Sequence, residues 1–494
     1  MAENCPFARR SSARNAATLV AMFLVIAAGA APSAAAHEQR RAPTAAHHGG
    51  PGVPGDIDGD GRSDLVVSVH HGFRIVYTRW TVHHSHVVTM TLPDNANPSS
   101  LAVADFNHDG HADVAAGNPN SGYRNGSQTS DGSIDVYDGT SHGLVAEPHV
   151  FLGTTAGGYA GEVVADVDLN HDKYSDLLAI PDQRGGLTVL LGGPSGLTPA
   201  STDILGGCPT RLAEYGGQQR YVATGDINGD GRSDLVIGQP EKGKQLGHGD
   251  DFRGVEGEIK ICYGNATGIG PKVSSIHGRA VGSGYRELGW TVAVAHVNGD
   301  RFDDIVAGAP FHEGDNGRVA VVYGAKHGPI ASRSTVADQG GRGPRYRTGV
   351  GAELGDSVTA GDVNGDGFSD VVAGGPMGGL GKDRGGEVMI YYGGERRLHT
   401  KHSIRLTLGQ TFPHLTGGPR FGGDGFGSML VCFNPRGPRF ASVGVLAPGY
   451  AVHHKLGLLV TYPGSKTGVD VSNATRTRHV GQYMNYSTGL AIGA

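Results

Sequence analysis

The sequence predicts an all-β fold in which seven small sheets stand as the blades of a β-propeller, and three observations carry that expectation. An acidic nonapeptide recurs five times and each time runs into a short β-branched segment. A glycine-framed strand that usually ends in Tyr recurs seven times. Glycine supplies 84 of 494 residues and Pro 25, while aromatic residues are 7%. Without a collagen period or a long polar tract, that usage belongs to many short strands and tight turns.

The nonapeptides read DIDGDGRSD from Asp56, DFNHDGHAD from Asp105, DLNHDKYSD from Asp168, DINGDGRSD from Asp226 and DVNGDGFSD from Asp362. Side-chain oxygens at positions one, three, five and nine, with a backbone carbonyl at seven, give a hard cation the several oxygen ligands it prefers. The donor sets are Asp56, Asp58, Asp60 and Asp64 with the Arg62 carbonyl; Asp105, Asn107, Asp109 and Asp113 with His111; and Asp168, Asn170, Asp172 and Asp176 with Tyr174. They continue with Asp226, Asn228, Asp230 and Asp234 with Arg232, and Asp362, Asn364, Asp366 and Asp370 with Phe368. About five Ca2+ sites are expected. Asp, Asn and Gly are also ordinary turn residues, but five copies in register are more than turn chemistry requires. A sixth copy, HVNGDRFDD from His296, is damaged at positions one and six, so a weak or empty site is expected there. Lys173 replaces the turn glycine of the third copy and lowers its expected affinity. An EF-hand opens the same way but needs Glu at position twelve and flanking helices. Position twelve here is Val67, Ala116, Ala179, Ile237 or Ala373, inside segments such as LVVSV and LVIG that read as strands.

The second repeated element appears as GFRIVYT from Gly72, GSIDVYDG from Gly132, GLTVLLGG from Gly186, GEIKICYG from Gly257, GRVAVVYG from Gly317, GEVMIYYGG from Gly386 and GLLVTYPG from Gly457. Its period-two alternation predicts half-buried strands. A third element, such as SLAVAD or SVTAGD, leads into each loop. Each unit therefore supplies strand, cation loop, strand, Tyr-bearing strand and an outer strand, and units start about 50 to 70 residues apart, the length of a four-stranded blade. The first unit lacks an introductory strand, whereas the chain finishes on one, TGLAIGA from Thr488. Pairing the C-terminal strand with the first blade would close the ring and remove exposed sheet edges. The expected blades are 56–98 with 484–494, 99–160, 161–219, 220–287, 288–353, 354–424 and 425–483. The seventh, without an acidic ladder, is expected to hold no metal.

Residues 1–36 read as a secretory signal: Arg9, Arg10 and Arg14, an apolar run from Ala16 to about Ala31, then Ala34-Ala35-Ala36. A flexible linker follows over 37–55. The run is short for a membrane span, and a released, extracellular protein is expected. Formal charge is −6, which argues against a nucleic-acid partner. Beyond Cys5 in the leader, Cys208, Cys262 and Cys432 allow one bridge whose pairing the sequence leaves open.

The entries Leu288-Gly289, Leu354-Gly355 and Phe426-Gly427, the acidic nonapeptides, and the exits GNP from Gly117, GQP from Gly238, GAP from Gly308 and GGP from Gly374 resemble the FG-GAP repeats of integrin α-chain propellers. The resemblance covers about 56–494 and implies a seven-bladed β-propeller with structural calcium in its hairpin loops. It stops at the propeller: heterodimeric integrin behaviour does not follow from it.

Catalytic motifs are few. The segment Gly193-Pro194-Ser195-Gly196 misses the GxSxG register, and His312-Glu313 is followed by no partner His. The 24 His cluster at His70-His71, His83-His84 and His453-His454, which read as loop residues. The charged insertion between Gly238 and Gly257 suits a recognition loop. A non-enzymatic binding or adhesion module for a protein or glycan is therefore the expected function. A secreted hydrolase or lyase with a site in the propeller channel is the alternative.

Overall fold

The computed structural model describes residues 53–491 apart from short internal stretches, the longest being 153–162, 209–221, 243–254, 340–350, 414–424 and 482–489. The expected leader, most of the linker, His83-His84, His453-His454 and the centre of the 238–257 insertion lie outside the described residues.

Seven antiparallel four-stranded sheets stand around a ring as a β-propeller. The fourth blade shows the plan. From inside to outside it runs Val222–Gly225, Asp234–Gln239, Glu258–Asn265 and Gly268–His277. Its register pairs Val222 with Ile237, Leu235 with Cys262 and Glu258 with His277. The strand Asp234–Gln239 is buried at every residue, as are Asp113–Asn118, Asp304–Ala309 and Asp370–Gly375. A neighbouring blade covers each face of these second strands, so both side-chain sets are apolar or small, as in any doubly covered sheet. The same packing buries the third strands more fully than alternation predicts. Ser133–Tyr137 is buried throughout, and Glu387–Tyr392 at all but its last residue.

The core lies between blades. One cluster joins Ile57, Leu65 and Phe73 of the first blade to Val114 and Tyr137 of the second and to Met429 and Leu446 of the seventh. Fully burying a side chain such as Phe73 contributes about 1.5–3 kcal/mol. The Tyr at or near the end of the third strand has its own seat. The hydroxyls of Tyr77, Tyr263 and Tyr392 lie where a Cβ on Gly143, Gly328 or Gly468 would fall. Each of these glycines has positive φ and sits in the outer turn of the next blade. The tyrosine and the glycine are thus two halves of one inter-blade contact.

Leu490–Ala491 pairs antiparallel with Leu65–Val69, through Val66↔Ala491 and Val67↔Leu490, and is the innermost strand of the first sheet. Helix among the described residues is confined to single turns such as Gly278–Val281 and Leu408–Thr411. Cys208 and Cys262 form a disulfide across 54 residues, between the segment after the third blade and the third strand of the fourth. Cys432 is free.

Candidate metal centres

The acidic nonapeptides from Asp105 onward span the hairpin between the first and second strands of their blades, that from Asp56 leads into the second strand of the first blade, and one hydrogen-bond plan repeats in each. In the hairpin copies strand pairing fixes position nine, because this Asp is the first residue of the second strand, and position one follows the inner strand; in the first copy Asp64 directly precedes Leu65–Val69. The intervening turn must therefore fold back between two fixed points.

The position-one carboxylate organises that turn. Asp56 accepts N–H bonds from Asp60 at 3.0 Å and Gly61 at 2.7 Å. Asp105 accepts from Asp109 and Gly110. Asp226 accepts from Gly229, Asp230 and Gly231, and Asp362 from Gly365, Asp366 and Gly367. In the third loop Asp168 accepts from Lys173 at 3.2 Å, with Lys173 held at φ 77° where the other copies have glycine. Position three accepts from the amide of position five, as Asn107 does from Asp109 and Asn364 from Asp366 at 2.9 Å each. Position five accepts from position seven, as Asp172 does from Tyr174 and Asp230 from Arg232. The side-chain oxygens of positions one, three and five are thereby held along the turn by its own amides.

Position nine does something the sequence did not reveal. Asp64 accepts from Ile57 N–H with one oxygen (3.1 Å) and from Thr78 N–H with the other (2.9 Å), tying the loop to the end of the third strand. The same clamp recurs in Asp113 with Phe106 and Gly139, Asp176 with Leu169 and Gly192, Asp234 with Ile227 and Gly264, and Asp370 with Val363 and Gly393. The damaged loop keeps it: Asp304 accepts from Val297, Asn298 and Gly324. Burial pushes these carboxyls up against the pull of the N–H donors, to about 8 for Asp64 and Asp113, about 7 for Asp234 and Asp370, and about 6 for Asp176. Burial also holds Asp304 well above the carboxylate range.

The donors suit a hard divalent cation. Asp56, Asp58 and Asp64 offer one oxygen each, all within 4.8 Å of one another. Two oxygens at about 2.4 Å from a shared calcium ion are separated by no more than that. In the third loop, Asp168 Oδ1 is buried without a hydrogen-bond partner, an oxygen placed where a cation would satisfy it. The fifth loop differs. His296 Nδ1 lies 4.0 Å from Asp303 Oδ1, and the other Asp303 oxygen accepts from Asp226 N–H at 2.8 Å, so this carboxylate serves the seam with the fourth loop.

One backbone stitch repeats between adjacent loops. Position eight of one blade donates its N–H to the position-one carbonyl of the blade before: Ala112 to Asp56 (2.8 Å), Asp303 to Asp226 (3.0 Å), Ser369 to His296 (2.8 Å) and Ala441 to Asp362 (2.7 Å). The position-seven side chain leans over position four of the preceding loop. His111 covers Gly59, Phe302 covers Gly229, Phe368 covers Gly299 and Phe440 covers Gly365. Tyr174 meets His108 edge to face at 5.7 Å. Sequence reading used position seven only for its carbonyl. The available signal was glycine at four wherever the next loop has Phe at seven.

Among the described residues no helix is long and apolar enough to cross a membrane. The FG-GAP-like repeat family matches residues 54–116 and 168–237, and the FG-GAP repeat family matches 97–137, 222–253, 288–322 and 354–391. Integrin alpha-8 of Mus musculus is 32% identical over 190 residues, 37% of this chain and 15% of that protein. Phosphatidylinositol-glycan-specific phospholipase D of Mus musculus is 30% identical over 183 residues, 36% of this chain and 20% of that protein. The chain thus spans a fifth or less of the length of these relatives. An Agrocybe aegerita lectin, solved for its recognition of non-reducing terminal N-acetylglucosamine, shares the fold at a TM-score of 0.55 and 15% identity, over 89% of this chain and 96% of that one. The chain is thus a seven-bladed β-propeller whose first six blades carry FG-GAP repeats.

Proposed function

We propose that this is a secreted, calcium-stabilised propeller acting as a non-enzymatic binding module for a protein or glycan. The observation that carries the reading is the placement of the acidic loops. Their carboxylates organise the turn, clamp the third strand and, through the adjoining carbonyls, meet the next blade. Groups so used in holding the ring together are poorly suited to turnover. Recognition then falls to the opposite rim, where the second and third strands are joined by connections leaving Asn118, Gln239, Ala309 and Gly375. The integrin and lectin likenesses favour a protein or glycan as the class of ligand. The disulfide between Cys208 and Cys262 suits an oxidising, extracytoplasmic compartment.

Calcium in the loops would be held by the position-one, -three, -five and -nine side chains with the position-seven carbonyl, and when bound it supplies charge neutralisation and cross-linking. Extracellular modules bind calcium with Kd of about 10⁻⁴ to 10⁻³ M. At about 1 mM calcium each site then adds about 0.4–1.4 kcal/mol, and five sites about 2–7 kcal/mol. The test is a glycan array, including glycans with terminal N-acetylglucosamine, and a panel of extracellular-matrix proteins, each probed in calcium and in EGTA. Saturable, calcium-dependent binding without turnover supports the module. Turnover of a glycan or ester replaces it with the hydrolase or lyase reading.

A further inference from the structure

Two blades without a complete ligand set keep one feature of the cation loops. The fifth-blade loop has His296 at position one and Arg301 at six, and the seventh-blade hairpin, Asn434 to Ser442, has no acidic residue. Both nevertheless carry Arg-Phe at positions six and seven, Arg301-Phe302 and Arg439-Phe440. In each pair the guanidinium lies 5.1 Å from the ring centroid, so the two dipeptides are arranged alike. Each ring is turned away from its own hairpin and onto the preceding loop. A Cβ on Gly229 would stand 2.6 Å from Phe302 Cε1, and one on Gly365 would stand 2.7 Å from Phe440 Cδ1. Both glycines have positive φ, +71° and +74°. Their amides donate to the position-one carboxylates, Gly229 to Asp226 at 2.7 Å and Gly365 to Asp362 at 2.6 Å.

We propose that the fifth and seventh blades act as lids for the cation loops of the fourth and sixth, with Phe302 and Phe440 as positioning residues for Asp226 and Asp362. The chain of contact is short: ring on glycine, glycine amide on carboxylate, carboxylate on the cation. Position-eight stitching, from Asp303 to Asp226 and from Ala441 to Asp362, holds the lid in register. The ring also excludes water from one side of the loop, which strengthens the attraction between its carboxylates and a cation. Loss of the metal set in these two blades therefore leaves their second duty intact. By the same logic the third loop is the least supported, because the next position seven is Arg232, which turns to Asp230 of its own loop at 3.7 Å.

This inference rests on the calcium reading above, and the experiment separates the two. Calcium is titrated calorimetrically into metal-free full-length protein for wild type, Phe302→Ala, Phe302→Leu, Asp226→Asn and the Phe302→Ala/Asp226→Asn double variant, with near-UV circular dichroism as the check on folding. Removal of a group that orients a metal ligand typically costs about 10- to 100-fold in affinity. Phe302→Ala should weaken one site by about tenfold, Phe302→Leu should weaken it less, and the double variant should bind like Asp226→Asn alone. Phe440→Ala, combined with Asp362→Asn, repeats the cycle in the sixth blade and decides the matter should Phe302→Ala fail to fold. Wild-type affinity in the folded lid variants, or equal losses from Phe302→Ala with and without Asp226→Asn, overturns the lid while leaving calcium binding in place. A wild-type protein that takes up no calcium overturns both.

Discussion

Asp304 separates the clamp from the cage, because its loop keeps the first and lacks a full set of ligands for the second. The carboxyl is fully buried and accepts from Val297 at 3.1 Å, Asn298 at 3.1 Å and Gly324 at 3.0 Å. Asp304→Ala leaves the Asn298 and Gly324 donors without partners, whereas Val297 N–H keeps its bond to the Ala295 carbonyl at 3.1 Å. An orphaned buried donor costs about 1–3 kcal/mol, so two cost about 2–6 kcal/mol. For a cooperative unit of about 440 residues the entropy of unfolding is about 0.9 kcal/mol/K, which converts the loss into a Tm drop of about 2–7 °C. Asp304→Asn keeps one acceptor and should fall about midway. Differential scanning calorimetry in calcium and in EGTA is the assay. The drop should be equal in both, because the damaged ligand set of this loop predicts a weak or empty site. A drop confined to calcium-loaded protein would show that Asp304 acts as a ligand, and a drop below about 1 °C would show that the buried clamp contributes little; either refutes the reasoning.

Other outcomes follow from the same geometry. In metal-free protein the position-nine carboxyls, raised by burial to about 6–8, retain protons that the unfolded chain, with carboxyls near 4, has lost. Their contribution to stability is fully present below about pH 4 and declines as pH rises towards 8, whereas calcium favours the ionised form. The calcium-induced gain in Tm should therefore increase from pH 5 to pH 8, and a gain independent of pH would contradict it. Deleting 488–494 leaves Leu65–Val69 as an unpaired edge. The truncated chain should melt lower and self-associate on light scattering; an unchanged monomer with an unchanged melt would remove ring closure as the role of that segment. Cys208→Ser should lower the melt by the equivalent of about 2–4 kcal/mol, and adding reductant to that variant should lower it no further.

The fold was legible because its signals are local. Five loops with the same spelling, each entering a strand, could be counted without knowing what they touched. The Tyr-bearing strands could be counted in the same way. What escaped were side-chain contacts that reach beyond the loop, whether to another strand of the same blade or to the next blade. The tie between Asp64 and Thr78 depends on where the third strand ends, and that between Tyr263 and Gly328 on how two repeats dock. The pairing of Cys208 with Cys262 reaches from one blade to another across 54 residues. Alternation under-read the burial of Ser133–Tyr137 for the same reason, since a period of two assumes one open face.

The seam between loops also bears on how seven similar sheets find their order. Repeats of like sequence are prone to dock with the wrong neighbour while a long chain folds. Here the shape of one hairpin must accept the side chain of the next. Gly229 leaves room for the Phe302 ring, whereas Tyr174 meets His108 and His111 meets Gly59. A hairpin with histidine at position four would collide with a Phe ring that is seated against glycine. Each sheet thus carries an address for its successor, and a chimaera that exchanges whole blades would have to exchange these matched pairs with them.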